Sequence, residues 1–121
     1  LAPKLIHSIA DGFGLSAEVE FGRATKVLMN DPASVERVER LAKSLVGEAG
    51  YVPMQNPIAG GEDFASIVAE LPGAFVFVGA CPPEIDYQAA PTNHSAKATF
   101  DDSVLPLCSA LLVSLAMEHL G

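Results

Sequence analysis

The sequence predicts an α/β fold, and three observations carry that expectation. Ala74-Phe75-Val76-Phe77-Val78-Gly79 is apolar on both faces, as a strand is when helices cover both sides of its sheet. Leu15 to Arg23 alternates, with Ala17, Val19 and Phe21 on one face and Ser16, Glu18, Glu20 and Gly22 on the other. That period of two marks a half-buried strand. Helical patterns surround both runs, giving the order helix–strand, then helix–extended–helix–strand–helix, the layered alternation of α/β proteins.

The elements follow in chain order. Leu5, Ile6, Ile9, Ala10 and Phe13 recur at helical spacing, and Gly12 and Gly14 supply a stop. The alternating strand comes next. At Asn30-Asp31-Pro32 the pattern changes: Asp31 suits an N-cap, and Pro32 suits the first turn, where its missing N–H costs nothing. Val35, Val38, Leu41, Ala42, Leu45 and Val46 then form one apolar stripe. Glu36 with Arg40 and Glu39 with Lys43 form acid-then-base pairs four apart on its solvated face. Gly50 ends this helix, and Tyr51-Val52-Pro53-Met54 reads as an extended entry into a loop.

A glycine turn, Ala59-Gly60-Gly61, leads through Glu62 and Asp63 to a short helix carrying Phe64, Ile67, Val68 and Leu71, which Pro72-Gly73 stops. After the strand at 74–79 comes a long loop, 81–100, with Pro82, Pro83, Pro91, Asn93 and His94. Loops of this length tend to be functional or disordered. Asp101-Asp102-Ser103 can cap the last helix, whose Leu107, Leu111, Leu112 and Leu115 belong to a surface apolar almost all round. Such a helix is expected to be buried. Its apolar-rich run, Val104 to Met117, falls short of the roughly 20 residues a bilayer span requires.

Composition narrows the function classes. At 121 residues the chain has the length of one domain, since domains run to about 100–200 residues. A hydrophobic fraction of 50% against 18% charged excludes a disordered tail, which could not bury enough apolar surface to offset its ordering entropy. Fifteen acids against seven Lys and Arg give a net charge of −8. That balance argues against nucleic acid, whose phosphates need clustered bases, and against anionic membrane surfaces. Cys81 and Cys108 are too few for a disulfide framework and read as reduced thiols. No signal-peptide pattern opens the chain, and a cytoplasmic setting is expected.

Two places can carry chemistry. Gly60 and Gly61 let the backbone approach a ligand closely, and the helix start after them offers N–H groups to an anion such as a substrate carboxylate. Glu62 and Asp63 equally suit the helix dipole. Neither a P-loop nor a three-glycine dinucleotide fingerprint is present. His94 lies in a polar loop between a strand and a helix, where α/β sheets place ligands. Imidazole is both a metal ligand and a proton carrier near neutral pH. Asp101 and Asp102 can orient such a ligand or simply cap the helix. One histidine is not a metal site, since zinc takes three or four protein ligands. His7 and His119 have no partner pattern.

Together these residues resemble one family. Ala59-Gly60-Gly61-Glu62-Asp63-Phe64, Leu71 to Gly79, and Asn93-His94-Ser95 leading to Phe100-Asp101-Asp102 and Val104-Leu105-Pro106 are similar to the metal-dependent amidohydrolases related to hippurate hydrolase, auxin-conjugate hydrolase and aminoacylase. The resemblance implies the C-terminal part of a phosphorylase/hydrolase-like three-layer α/β/α catalytic domain at residues 28–121. It implies the last helix and strand of a ferredoxin-like lid, a dimerisation domain, at residues 1–27. It further implies His94 as a metal ligand, with Gly60, Gly61 and Glu62 facing the substrate. The other ligands and the catalytic glutamate would lie upstream of these residues, so the 121-residue chain alone is expected to be inactive. The cofactor implied is a divalent metal, two per intact site (zinc, manganese, cobalt or nickel). The substrate implied is a small N-acyl amino acid or dipeptide-like amide, and a homodimer through the lid is implied as well. From another class, a non-catalytic binding or dimerisation module fits the isolated helix–strand at 3–23.

Overall fold

A computed structural model describes residues 1–22 and 25–121. Among the described residues four helices form: α1 (Ala2–Gly12), α2 (Pro32–Val46), α3 (Ala65–Val68) and α4 (Leu105–Leu120). Single 3-10 turns at Glu48–Gly50 and Asp102–Val104 follow α2 and lead into α4. No strand is present among the described residues.

This overturns the expected α/β class, and with it the three-layer catalytic sheet and the ferredoxin-like lid. The reason lies in pairing. A strand exists only when a neighbour accepts and donates its ladder hydrogen bonds. Neither Ser16–Gly22 nor the run 74–79 has such a neighbour among the described residues. Arg23, the last residue of the first expected strand, lies outside the described residues. Alternation survives in exposure only in part: Ala17 and Val19 are half-buried and Ser16, Glu18 and Glu20 exposed, but Phe21, expected on the covered face, is exposed too.

The helical expectations fare better. Asp31 caps α2 as its sequence position suggests, its Oδ2 accepting from Ser34 N and Ser34 Oγ at 2.8 Å each. The helix ends at Gly47 rather than at the expected Gly50: at φ 77° and ψ 169° its backbone lies in a region essentially reserved for glycine, costing other residues about 1–3 kcal/mol. Lys43 bridges Glu39 at 2.8 Å as expected, and also Glu48 at 2.9 Å. These hydrogen bonds push its ammonium pKa above the ordinary lysine value. Arg40 departs from the expected pairing with Glu36. It reaches across to Glu118 on α4, as Arg37 does at 3.3 Å. Exposed pairs of this kind contribute little, about 0–1 kcal/mol. The helix expected over Phe64–Leu71 shortens to α3, with looser turns after it.

The core is small. Only Val38 (6% exposed) and Ala65 (0%) are buried among the described residues. α2 packs on α4, while α1 touches none of the other helices. No residue of α4 is buried, contrary to the expectation from its apolar circumference. One side faces α2, and Leu105, Leu112, Val113, Met117 and Leu120 are exposed on the rest. With its leading turn this helix, Asp102–Leu120, is long and apolar enough to cross a membrane by length and composition alone. The accessible surface is 10009 Å², against about 6,200 Å² for a compact monomer of this mass.

Two measurements check this architecture. Hydrogen bonds from Ser34 and Ser103 hold the Asp31 and Asp101 carboxyls below the usual aspartate pKa. Their contribution is therefore present above the unfolded value and lost as pH falls through the folded one. We expect Asp31→Asn to keep the cap but flatten the acid limb of a thermal-melting pH profile, and Asp31→Ala to lower the melting temperature at neutral pH as well. At Gly50, an added Cβ would lie 2.6–2.7 Å from Val46 Cγ2 and Cβ. Gly50→Ala is expected to cost about 1–3 kcal/mol in urea unfolding.

Candidate functional site

The glycine loop is closed by its own backbone. Gly60 N donates to Ile58 O at 3.1 Å, so that N–H is already engaged. Gly61 lies against Thr25, and a Cβ there would meet Thr25 Oγ1 at 3.3 Å. Glu62 is half-buried. Its Oε1 accepts from Phe64 N at 3.0 Å, and its carbonyl accepts from Ala65 N at 3.1 Å. The carboxylate thus caps the turn into α3 and keeps its second oxygen for another donor. A four-residue helix has almost no dipole to offer an anion, so a ligand here would be held by Gly61 and Glu62 rather than by α3.

His94 sits exposed in the long loop. Successive turns build that loop: Ile85 N to Pro82 O, Ala89 N to Asp86 O, and Ser95 N to Thr92 O at 2.9–3.0 Å. Ser95 Oγ accepts from Lys97 N, and Ala98 N returns to Ser95 O. The loop is tied at its base by Asp101 N to Ala80 O at 2.9 Å. Asp101, a candidate for orienting His94, instead caps Ser103 through Oδ1 at 2.9 Å. Among the described residues no hydrogen bond or ion pair joins His94 to Glu62. No group of three or more His, Cys, Asp and Glu can hold a metal ion there either.

A roomier cleft lies elsewhere. About 580 Å³ opens between α2, α4, Tyr51–Met54 and the run 74–79, lined by Asn30, Val38, Tyr51, Phe75, Leu107 and Leu111 among others. Its walls are mostly apolar, and none of the sequence-derived site residues lines it. A smaller space of about 150 Å³ lies beside Cys81, Ile85, Pro91 and Phe100. Asn30 carries a role its turn-like sequence context does not signal. Its Oδ1 accepts from Phe75 N at 2.8 Å, and its Nδ2 donates to Phe75 O at 3.3 Å.

The sequence model of Peptidase family M20/M25/M40 matches residues 3–118. The chain belongs to this family. A relative, "Putative amidohydrolase YhaA" of Bacillus subtilis (strain 168), is 26% identical over 117 residues. That match takes in 95% of this chain but only 28% of the relative. The M20 chain thus spans less than a third of the length of the curated relative it matches. No solved structure matches it. The family is one of peptidases, and the Bacillus relative bears the name of an amidohydrolase. Family members generally bind divalent metals, and the residues described here do not themselves assemble such a site.

A lone exposed imidazole binds a divalent ion weakly. Calorimetric titration of the M20 chain with zinc should therefore show no saturable stoichiometric site. His94→Ala should leave the titration unchanged, whereas a site abolished by His94→Ala would show that the chain holds a metal by itself.

Proposed function

We propose that residues 1–121 act as the C-terminal portion of an M20 metal-dependent amidohydrolase that cleaves the amide bond of N-acyl amino acids, hippurate-like, or related peptides. The observation that carries the proposal is the family match across residues 3–118. The partial coverage of the relative supports assigning most of the catalytic groups to chain outside these residues.

In this reading His94 lends one imidazole nitrogen to a divalent metal site that other parts of the enzyme complete. The metal is one of zinc, manganese, cobalt or nickel, two per intact site. When bound, such ions lower the pKa of a water and polarise the amide carbonyl. Gly61 presents its backbone N–H towards the acyl-amino acid. Gly60 keeps the backbone close, and Glu62 uses its second carboxylate oxygen to accept from a substrate N–H. Residues 1–27 belong to a lid through which the enzyme pairs with a second copy, and residues 28–121 belong to the catalytic domain. The proposed setting is cytoplasmic, without nucleic-acid or membrane partners.

The test is an amidase assay on the 121-residue chain loaded with each of the four metals, with hippurate and other N-acyl amino acids as substrates. No turnover above buffer is expected. Turnover comparable to that of the full-length Bacillus relative would overturn the assignment of the remaining catalytic groups to other chain.

A further inference from the structure

Gly60 and Gly61 are neighbours in the candidate substrate loop, yet the space beside each is different. The glycines with left-handed backbone in this chain are Gly14, Gly47 and Gly121. Gly60 and Gly61 are not among them, so neither backbone conformation by itself demands a glycine. A Cβ on Gly60 would meet Ile58 Cγ2 at 3.8 Å, an ordinary van der Waals contact. A Cβ on Gly61 would meet Thr25 Oγ1 at 3.3 Å and Thr25 Cγ2 at 3.9 Å. Thr25 thus fills the place that a side chain at 61 would take, and it would have to give way to admit one.

Thr25 is held in that place by its own surroundings. It opens a segment, residues 25–31, that is fastened along the glycine loop, α3 and the run 74–79. Lys26 Nζ reaches Glu70 Oε1 at 3.1 Å, Asn30 engages both backbone groups of Phe75, and Asp31 N donates to Gly73 O at 2.9 Å. The loop is tied on either side of Gly61, by Gly60 N to Ile58 O and by Glu62 Oε1 accepting from Phe64 N. Gly61 lies between those ties, and the Thr25 side chain bears on it from outside the loop.

We propose that Thr25 is a positioning residue for Gly61, and through Gly61 sets where the loop presents its backbone N–H to substrate. Gly60, Gly61 and Glu62 face the substrate in the amidase reading, on which this role rests. A β-branched side chain is stiff at χ1, so threonine makes a firm wall. The wall acts by shape: Thr25→Val keeps it and Thr25→Ala removes it. A loop displaced in this way loses binding to the ground state and the transition state alike, which raises KM and leaves kcat in place.

Two measurements test this, and the first needs no activity. In amide ¹H–¹⁵N spectra of the 121-residue chain, Thr25→Ala should move the Gly61 and Glu62 signals, and Thr25→Val should move them much less. In the intact enzyme that contains these residues, Gly61→Ala and Thr25→Ala should each raise KM for an N-acyl amino acid about tenfold with kcat little changed, since misplacement by about 1 Å can cost about a hundredfold. Thr25→Val should restore the parent KM. Combined, Gly61→Ala and Thr25→Ala should recover most of the loss, the non-additivity expected of groups that share one space. A Gly61 amide unmoved by Thr25→Ala would overturn the contact whatever the activity. Shifts without a change in KM, a loss confined to kcat, or a Thr25→Val variant as impaired as Thr25→Ala would overturn the positioning role. An intact enzyme that turns over no N-acyl amino acid would overturn the amidase reading and the substrate role with it, while the spectra still decide whether Thr25 sets Gly61.

Discussion

Two adjacent residues, Asn30 and Asp31, organise the folded part of this chain. Asp31 caps α2 with its carboxylate and donates its own N–H to Gly73. Asn30 clamps Phe75 through both ends of its amide. The start of the best-formed helix is thereby fixed to the start of the apolar run more than forty residues later. Phe75 in turn touches Phe64 at 5.8 Å and Phe77 at 5.1 Å, so this node also sets the ring cluster beside α3. An asparagine side chain carries a donor and an acceptor at the spacing of a peptide group. It stands in for a neighbouring strand at one residue, and one residue is too little to make a ladder.

The same scarcity of partners governs the site. Gly60–Glu62 and His94 each have well-defined local geometry, closed by hydrogen bonds within their own loops. The described contacts do not bring them together. A metal centre needs several ligands held at fixed distances, and hydrolysis needs a base within reach of the attacked water. The family match places the chain among the M20 peptidases, and the chain spans 28% of a relative more than three times as long. The apolar cleft between α2, α4 and the run 74–79 belongs to the same account, since its walls are core-like residues with little packed between them.

Local features were legible in the sequence because their causes are local. The Asp31 cap and the proline in the first turn of α2 each depend on residues within one turn, whereas the helix stops at Gly47, one turn before the expected Gly50. The Glu39–Lys43 pair is local too. Arg40 escaped the same logic: Glu36 lies within reach along the helix, but Glu118 on α4 serves both Arg37 and Arg40. The resemblance carried by residues 59–64, 71–79 and 93–106 reached the correct family, because motif order and spacing persist whatever the rest of the fold is doing.

By itself, then, the sequence determined where the helices of this protein lie, the Asp31 cap, its charge and its family. Only the tertiary structure decided that, among the described residues, Ala74–Gly79 is clamped but unpaired, α4 is covered on one side only, and His94 makes no bond to Glu62. Helices satisfy their backbone within a few residues, so periodicity and capping specify them. A strand or a metal site is completed by groups distant in sequence. An apolar run such as 74–79 therefore states what it needs covered and does not say whether a partner is there.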